Sequence, residues 1–309
     1  MSRKKIMIVM LIVVMTFPIL LSSCQFDILG KEEEYRITNV KIFKDTPVWE
    51  LALAVKNEKT RTIEKLAKEN PELLNYQEPK YGATLLLWAV GMEKYKSAEA
   101  LLKCGADPNI ASTVDGMTPL YLAAGFSWID NYAKKDPKFV KLLLKYNADP
   151  NITYGGNAII EPGTSPLMNS IRCGIEKTKA LVEAGAYINY KTKSGTTAAI
   201  KALLAGQNAT LEALEYAHYL IVEKKAKVTD PYYPWLVYEE NNIQELYPVD
   251  ILRRWVYPLD SEEYRIKMEI VEEFARQGVN YWDTEIDKYT LEQIKKLYPD
   301  TWEEYIKRY

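Results

Sequence analysis

The chain has 309 residues, 48% of them hydrophobic, with 40 basic and 42 acidic side chains and a formal net charge of −2. This is a globular composition without Gly/Ser-rich or Pro-rich tracts, which excludes disorder over long stretches. The slight acidity argues against a nucleic-acid partner, which requires a basic face. Tyrosine is common, at 23 residues beside seven tryptophans; such aromatics either fill a core or form a binding surface, and composition leaves both open.

At the N-terminus, Arg3, Lys4 and Lys5 precede an apolar run from Ile6 to Leu21, followed by Ser22, Ser23 and Cys24. The run is shorter than the ~20 residues of a bilayer-spanning helix, and Pro18 disturbs its last turns. A basic start, a short apolar run and small residues form the pattern of a secretory signal peptide, residues 1–23. Leu21-Ser22-Ser23-Cys24 resembles the lipobox of bacterial lipoproteins. That resemblance implies cleavage before Cys24, thioether-linked diacylglycerol on it and acylation of the new amine, so that the membrane is reached through Cys24. Gln25, rather than aspartate, then implies an outer-membrane lipoprotein facing the periplasm or the cell surface. Residues 24–44, with the charge cluster Lys31–Glu34, read as a solvated tether.

Beyond residue 45 the sequence repeats itself. Gly105–Asn109 reads GADPN, Asn147–Asn151 reads NADPN and Gly185–Asn189 reads GAYIN, each after an apolar helical pattern. Start signals recur as GATLL from Gly82, GMTPL from Gly116, GTSPL from Gly163 and GTTAA from Gly195. Thr or Ser before the helix caps its free N–H groups, and proline at the first helical position has no N–H to leave unsatisfied. Glycine after the second helix supplies a left-handed stop, and the Asp/Pro/Asn turn redirects the chain. These residues resemble the ankyrin family, best at Thr118–Ala124, with Tyr121 where histidine is usual. The resemblance covers roughly 46–285 and implies an all-α stack of five or six helix–turn–helix units joined by hairpin fingers. Insertions are expected at Trp128–Asp136, between two helices, and at Tyr154–Ile160, in a finger. Repeats are assigned to 45–230. For 231–309 two readings stand, a degenerate terminal repeat with a closing helix over Leu291–Tyr309, or a separate small domain.

No catalytic constellation, phosphate loop or metal-ligand cluster is legible, and neither a cofactor nor an enzyme is expected. The single histidine, His218, reads as a core or groove residue. A family-like stack leaves fingers and first helices open to a protein partner. Carried over by position, the partner-binding candidates are Lys80, Tyr81 and Met92, then Val114, Asp115, Met117 and Phe126. Tyr154, Asn157, Glu161, Thr164 and Arg172 follow, then Lys193, Ser194 and Thr196, with Trp235 in a late aromatic loop. The partner is expected to be a protein and the chain a monomer. Its sharpest form is an immunity protein opposing a lipase-type effector in the envelope. The alternatives are a structural or host-interaction lipoprotein on the cell surface, and an enzyme with an unfamiliar C-terminal site.

Overall fold

A computed structural model describes residues 36–130, 132–157, 160–207, 210–234 and 245–309. Cys24, residues 24–35 of the expected tether and Trp235 lie outside the described residues, and the end of that tether is not solvated, since Ile37, Val40, Ile42 and Phe43 are buried. Among the described residues there are fourteen α-helices, and none is long and apolar enough to cross a membrane. They fall into two compact units. The first ends at Gly105 and also takes Ser127–Tyr132; the second comprises Ala106–Phe126 and Ala133–Tyr309.

In the first unit, a 3-10 turn at Val40–Phe43 leads to α1 (Trp49–Lys56) and α2 (Thr60–Glu69), then α3 (Leu85–Gly91) and α4 (Tyr95–Lys103). Helix α1 packs on α3, and α2 on α4. The buried Ser97 hydroxyl donates to Val55 O at 2.7 Å, a second bond to a carbonyl at the end of α1 that also accepts from Glu58 N. Trp128, from the first insertion, lies over Gly91, where a Cβ would sit 2.1 Å from its ring. Ser127 donates to Glu93 at 2.5 Å. The glycine in the apolar helix Leu-Leu-Leu-Trp-Ala-Val-Gly is therefore the seat of an indole.

The second unit contains the pairs α5 (Pro119–Ala124) and α6 (Lys138–Lys145), α7 (Pro166–Ser170) and α8 (Ile175–Glu183), and α9 (Ala198–Gly206) and α10 (Leu211–Ala217). Helix α10 continues as a π turn over His218–Glu223. A fourth pair follows, α11 (Pro248–Leu252) and α12 (Glu262–Arg276), then α13 (Lys288–Leu297) and α14 (Trp302–Arg308). First helices stack in the order α5, α7, α9, α11, and second helices in the order α6, α8, α10, α12. The all-α, ankyrin-type expectation holds. Thr118, Ser165 and Thr197 cap their helices by accepting from Tyr121 N, Met168 N and Ile200 N at 3.1–3.2 Å. The second helices stop at residues in the left-handed region: Asn147, Gly185, Lys225 and Gly278.

The asparagines that end the repeats have a role their spacing does not disclose. Asn109 Oδ1 accepts from Asp149 N at 2.7 Å, and its Nδ2 donates to Asn147 O at 3.1 Å. Asn151 makes the same pair of bonds one repeat on, with Tyr187 N and Gly185 O. Asn189 accepts from Lys227 N at 2.8 Å. At the next step Gln277 replaces asparagine, accepting from Val228 N and donating to Ala226 O. Neighbouring turns of the second unit are thus stapled by side-chain amides, which at Asn109, Asn151 and Gln277 match one N–H and one carbonyl.

The closing helix expected over Leu291–Tyr309 is instead two. Tyr298-Pro299-Asp300 breaks it, since a residue before proline is pushed out of the helical region; Tyr298 has φ −130° and ψ 62°. Helix α14 folds back, so that Ile294, Tyr305 and Tyr309 share a small core with Val256. Tyr305 stacks on Tyr298 with ring centres 4.4 Å apart. Tyr121, Tyr154, Tyr216, Tyr219, Tyr232, Tyr257 and Tyr281 are buried as well. Nine tyrosines are thus buried; among the described residues Tyr132, Tyr187 and Tyr247 are exposed and the rest are half-buried.

Candidate functional site: fingers and first helices

The fingers of the second unit form one hydrogen-bonded edge. In the first, Ser112 N donates to Met117 O at 2.9 Å, and Asp115 accepts from the Ser112 hydroxyl and from Met117 N. The second finger closes through Tyr154 N to Thr164 O and Gly163 N to Tyr154 O. The two are joined by Gly155 N donating to Asp115 O at 2.8 Å. In the third finger, Thr192 N donates to Thr196 O. Glu161 reaches it from the second, accepting from Ser194 N at 2.7 Å and Ser194 Oγ at 2.8 Å. Tyr233 N donates to Ser194 O, and Tyr232 pairs with Leu246 in a last antiparallel bridge.

This edge corrects part of the candidate set. Tyr154, Glu161, Thr164 and Ser194 are buried. They build the finger edge and present no surface. Tyr154 stacks on Tyr121 with ring centres 4.7 Å apart and planes 11° apart. Burial, with the Asp115 carboxylate nearby, pushes the Tyr154 hydroxyl up to about 12. Tyr121 fills the place of the expected histidine by stacking; its buried hydroxyl finds no hydrogen-bond partner among the described residues. Asn157 supports the second finger, donating to Tyr154 Oη at 2.8 Å and accepting from Ile160 N.

The other candidates face outward to different degrees. Val114 is 67% exposed and Phe126 49%. Arg172 and Lys193 are exposed, whereas Asp115, Met117, Asn157 and Thr196 are half-buried. In the first unit Lys80 is exposed, and Tyr81 and Met92 are half-buried. There the buried Glu78, which the sequence reading passed over, organises the turn by accepting from Lys80 N, Tyr81 N and Ala83 N at 2.7–3.1 Å. His218 sits half-buried with Nε2 2.7 Å from Glu269, tying the π turn to α12. No group of three or more potential metal ligands occurs among the described residues.

Two further outward residues lie on α9. All of its residues are buried except Lys201, which is half-buried, and Leu204, which is 45% exposed. They stand one turn apart on one face of the helix. The signal was present in the sequence as the single charge in Ala-Ala-Ile-Lys-Ala-Leu-Leu-Ala-Gly. A search of curated proteins gave no match. The family model for ankyrin repeats (3 copies) matches residues 51–154, about a third of the chain. Over that stretch the chain carries ankyrin repeats, and they are of a kind that generally serves protein–protein interaction.

Proposed function

We propose that this chain is a lipid-anchored envelope protein, attached through Cys24, whose fingers and first helices in the second unit bind a protein partner. The observation that carries the binding reading is the division of the surface into a fixed, buried edge and an exposed fringe. Buried polar groups of neighbouring fingers satisfy one another, and Val114, Phe126, Arg172, Lys193 and Leu204 project beside them. A surface ordered before the partner arrives avoids much of the entropy cost of association. The lipobox-like Leu21-Ser22-Ser23-Cys24 supports the anchor and the envelope location. The finer form is an immunity protein that neutralises a lipase-type effector, in keeping with ankyrin lipoproteins encoded beside such effectors.

The binding test compares capture from envelope extract by the wild-type chain and by V114D/F126D, both identified by mass spectrometry. A partner held by wild type and released by the variant supports the reading, and identical captures refute it. Replacing Cys24 by serine is expected to move the protein from the membrane fraction to the soluble one. Protease treatment of intact cells separates a periplasmic protein, which is spared, from a structural or host-interaction protein on the surface, which is cut. Absence of an effector gene beside this one would count against the immunity form.

A further inference from the structure

The charged groups of the second unit's inner surface are unequally used. Its carboxylates are committed to the protein's own backbone and hydroxyls. Asp115 holds Ser112 and Met117 N, and Glu161 holds Ser194 through both oxygens. Two cations on the first-helix side are in the opposite position. The side chains of Lys201 on α9 and Arg172 just beyond α7 make no hydrogen bond or ion pair with any described residue. They come from adjacent repeats, and both lie close enough to the buried Cys173 thiol to act on it electrostatically. The third cation there, Lys177, is not available: its ammonium donates to Ala123 O at 2.8 Å. Arg254, further along the stack, is paired with Asp287 at 3.2 Å.

Lys201 is held in costly surroundings. Burial lowers its pKa, and the nearby Glu161 only partly opposes this. A crowded ammonium without a hydrogen-bond partner is destabilising, and an incoming carboxylate relieves it by accepting its protons in a charge-assisted bond. Leu204, one turn on, adds an apolar contact that excludes water from such a pair.

We propose that the inner surface takes an aspartate or glutamate side chain of the partner protein at Lys201, with Arg172 as a second cation and Leu204 packed alongside. This rests on the protein-binding reading above and names the chemistry its partner must present. An extended acidic segment fits better than a polyanion such as nucleic acid. Only two side-chain cations here lack a partner among the described residues, and the chain as a whole carries −2, so a dense run of phosphates would meet net repulsion.

The test uses the full chain in detergent and a random library of 12-residue peptides displayed on phage. Selected peptides are synthesised and their affinities measured by fluorescence anisotropy against wild type, V114D, K201M, K201E and R172M, each variant checked for folding by circular dichroism. The expected peptides lose affinity for V114D, carry an essential acidic residue, and bind K201M about tenfold more weakly, the loss a single charged hydrogen bond produces. Replacing the peptide's acid by alanine gives no further loss on K201M, and replacing it by lysine restores binding to K201E. R172M loses less than K201M. Peptides sensitive to V114D but indifferent to K201M would overturn the acidic anchor and leave the binding surface standing. Peptides indifferent to both would count against the surface itself. Displacement of the peptides by a 12-nucleotide single strand, lost in K201M, would overturn the carboxylate in favour of phosphate.

Discussion

Replacing Gly206 by alanine tests whether tertiary packing or local propensity governs α9, the helix that presents Lys201. On propensity alone G206A stabilises, since glycine in a helix is about 1 kcal/mol worse than alanine. The structure predicts the reverse. A Cβ at Gly206 would lie 2.3 Å from Cζ2 and 2.6 Å from Cη2 of the Trp255 indole. Trp255 is fully buried, and its Nε1 donates to Leu203 O at 3.0 Å. Tyr257 donates to Gly206 O itself. The last carbonyls of α9 are thus satisfied by two aromatic donors rather than by a left-handed glycine, and the indole cannot withdraw without giving up its bond. Overpacking of a filled core costs about 1–3 kcal/mol, and a lost hydrogen bond about 0.5–1.5 kcal/mol more. The propensity gain is reduced at a helix end. We expect G206A to lose about 1–3 kcal/mol in urea denaturation followed by tryptophan fluorescence and circular dichroism. In a W255F background, where the clashing ring is gone, the same substitution should cost less than about 0.5 kcal/mol. G206A as stable as wild type, or an equal loss in the W255F background, would refute the packing argument.

Further outcomes follow from the staples and the buried charges. N151A removes a bond accepted from Tyr187 N and one donated to Gly185 O, and should cost about 1 kcal/mol in urea denaturation because both sites are exposed to replacement water. E161A strands the buried Ser194 N–H, while the Ser194 hydroxyl keeps Thr196 Oγ1 at 2.9 Å; a loss of about 1–3 kcal/mol is expected, with faster amide exchange confined to the second and third fingers. Lys267 offers a pH test. It is buried, donates to Trp255 O at 2.7 Å, and lies 3.6 Å from the Tyr309 ring centre. Burial, with the Arg253 guanidinium beside it, holds its pKa well below 10.5. Between that depressed value and 10.5 the unfolded chain binds more protons than the folded one, so stability rises with pH through the window. The melting temperature of wild type should therefore gain on that of K267M as pH is raised from about 7 to 9; parallel curves would show that Lys267 titrates normally.

Much of the repeat architecture was legible in the sequence because the signals that build it are local. Thr118, Ser165 and Thr197 cap, Pro119 and Pro166 start, and Gly185 and Gly278 stop their helices through interactions within a few residues. Those constraints survive in any context, so their recurrence could be counted. The break at Tyr298-Pro299 is equally local, since the residue before a proline leaves the helical region whatever apolar spacing surrounds it.

Tertiary structure alone decided which side chains are exposed and which are buried. Glu161 and Ser194 look like solvated finger residues until the neighbouring fingers close on them. The repeat-ending asparagines look like turn formers until each is seen to bind a backbone that lies 34–40 positions further along. Lys201 reads as an ordinary surface lysine in a helix, and that its ammonium meets no partner among the described residues is visible only when Glu161 is found committed elsewhere. Backbone conformation is set by near neighbours in the chain, and so is written locally. Burial and charge pairing depend on residues brought together by stacking, which no single repeat encodes.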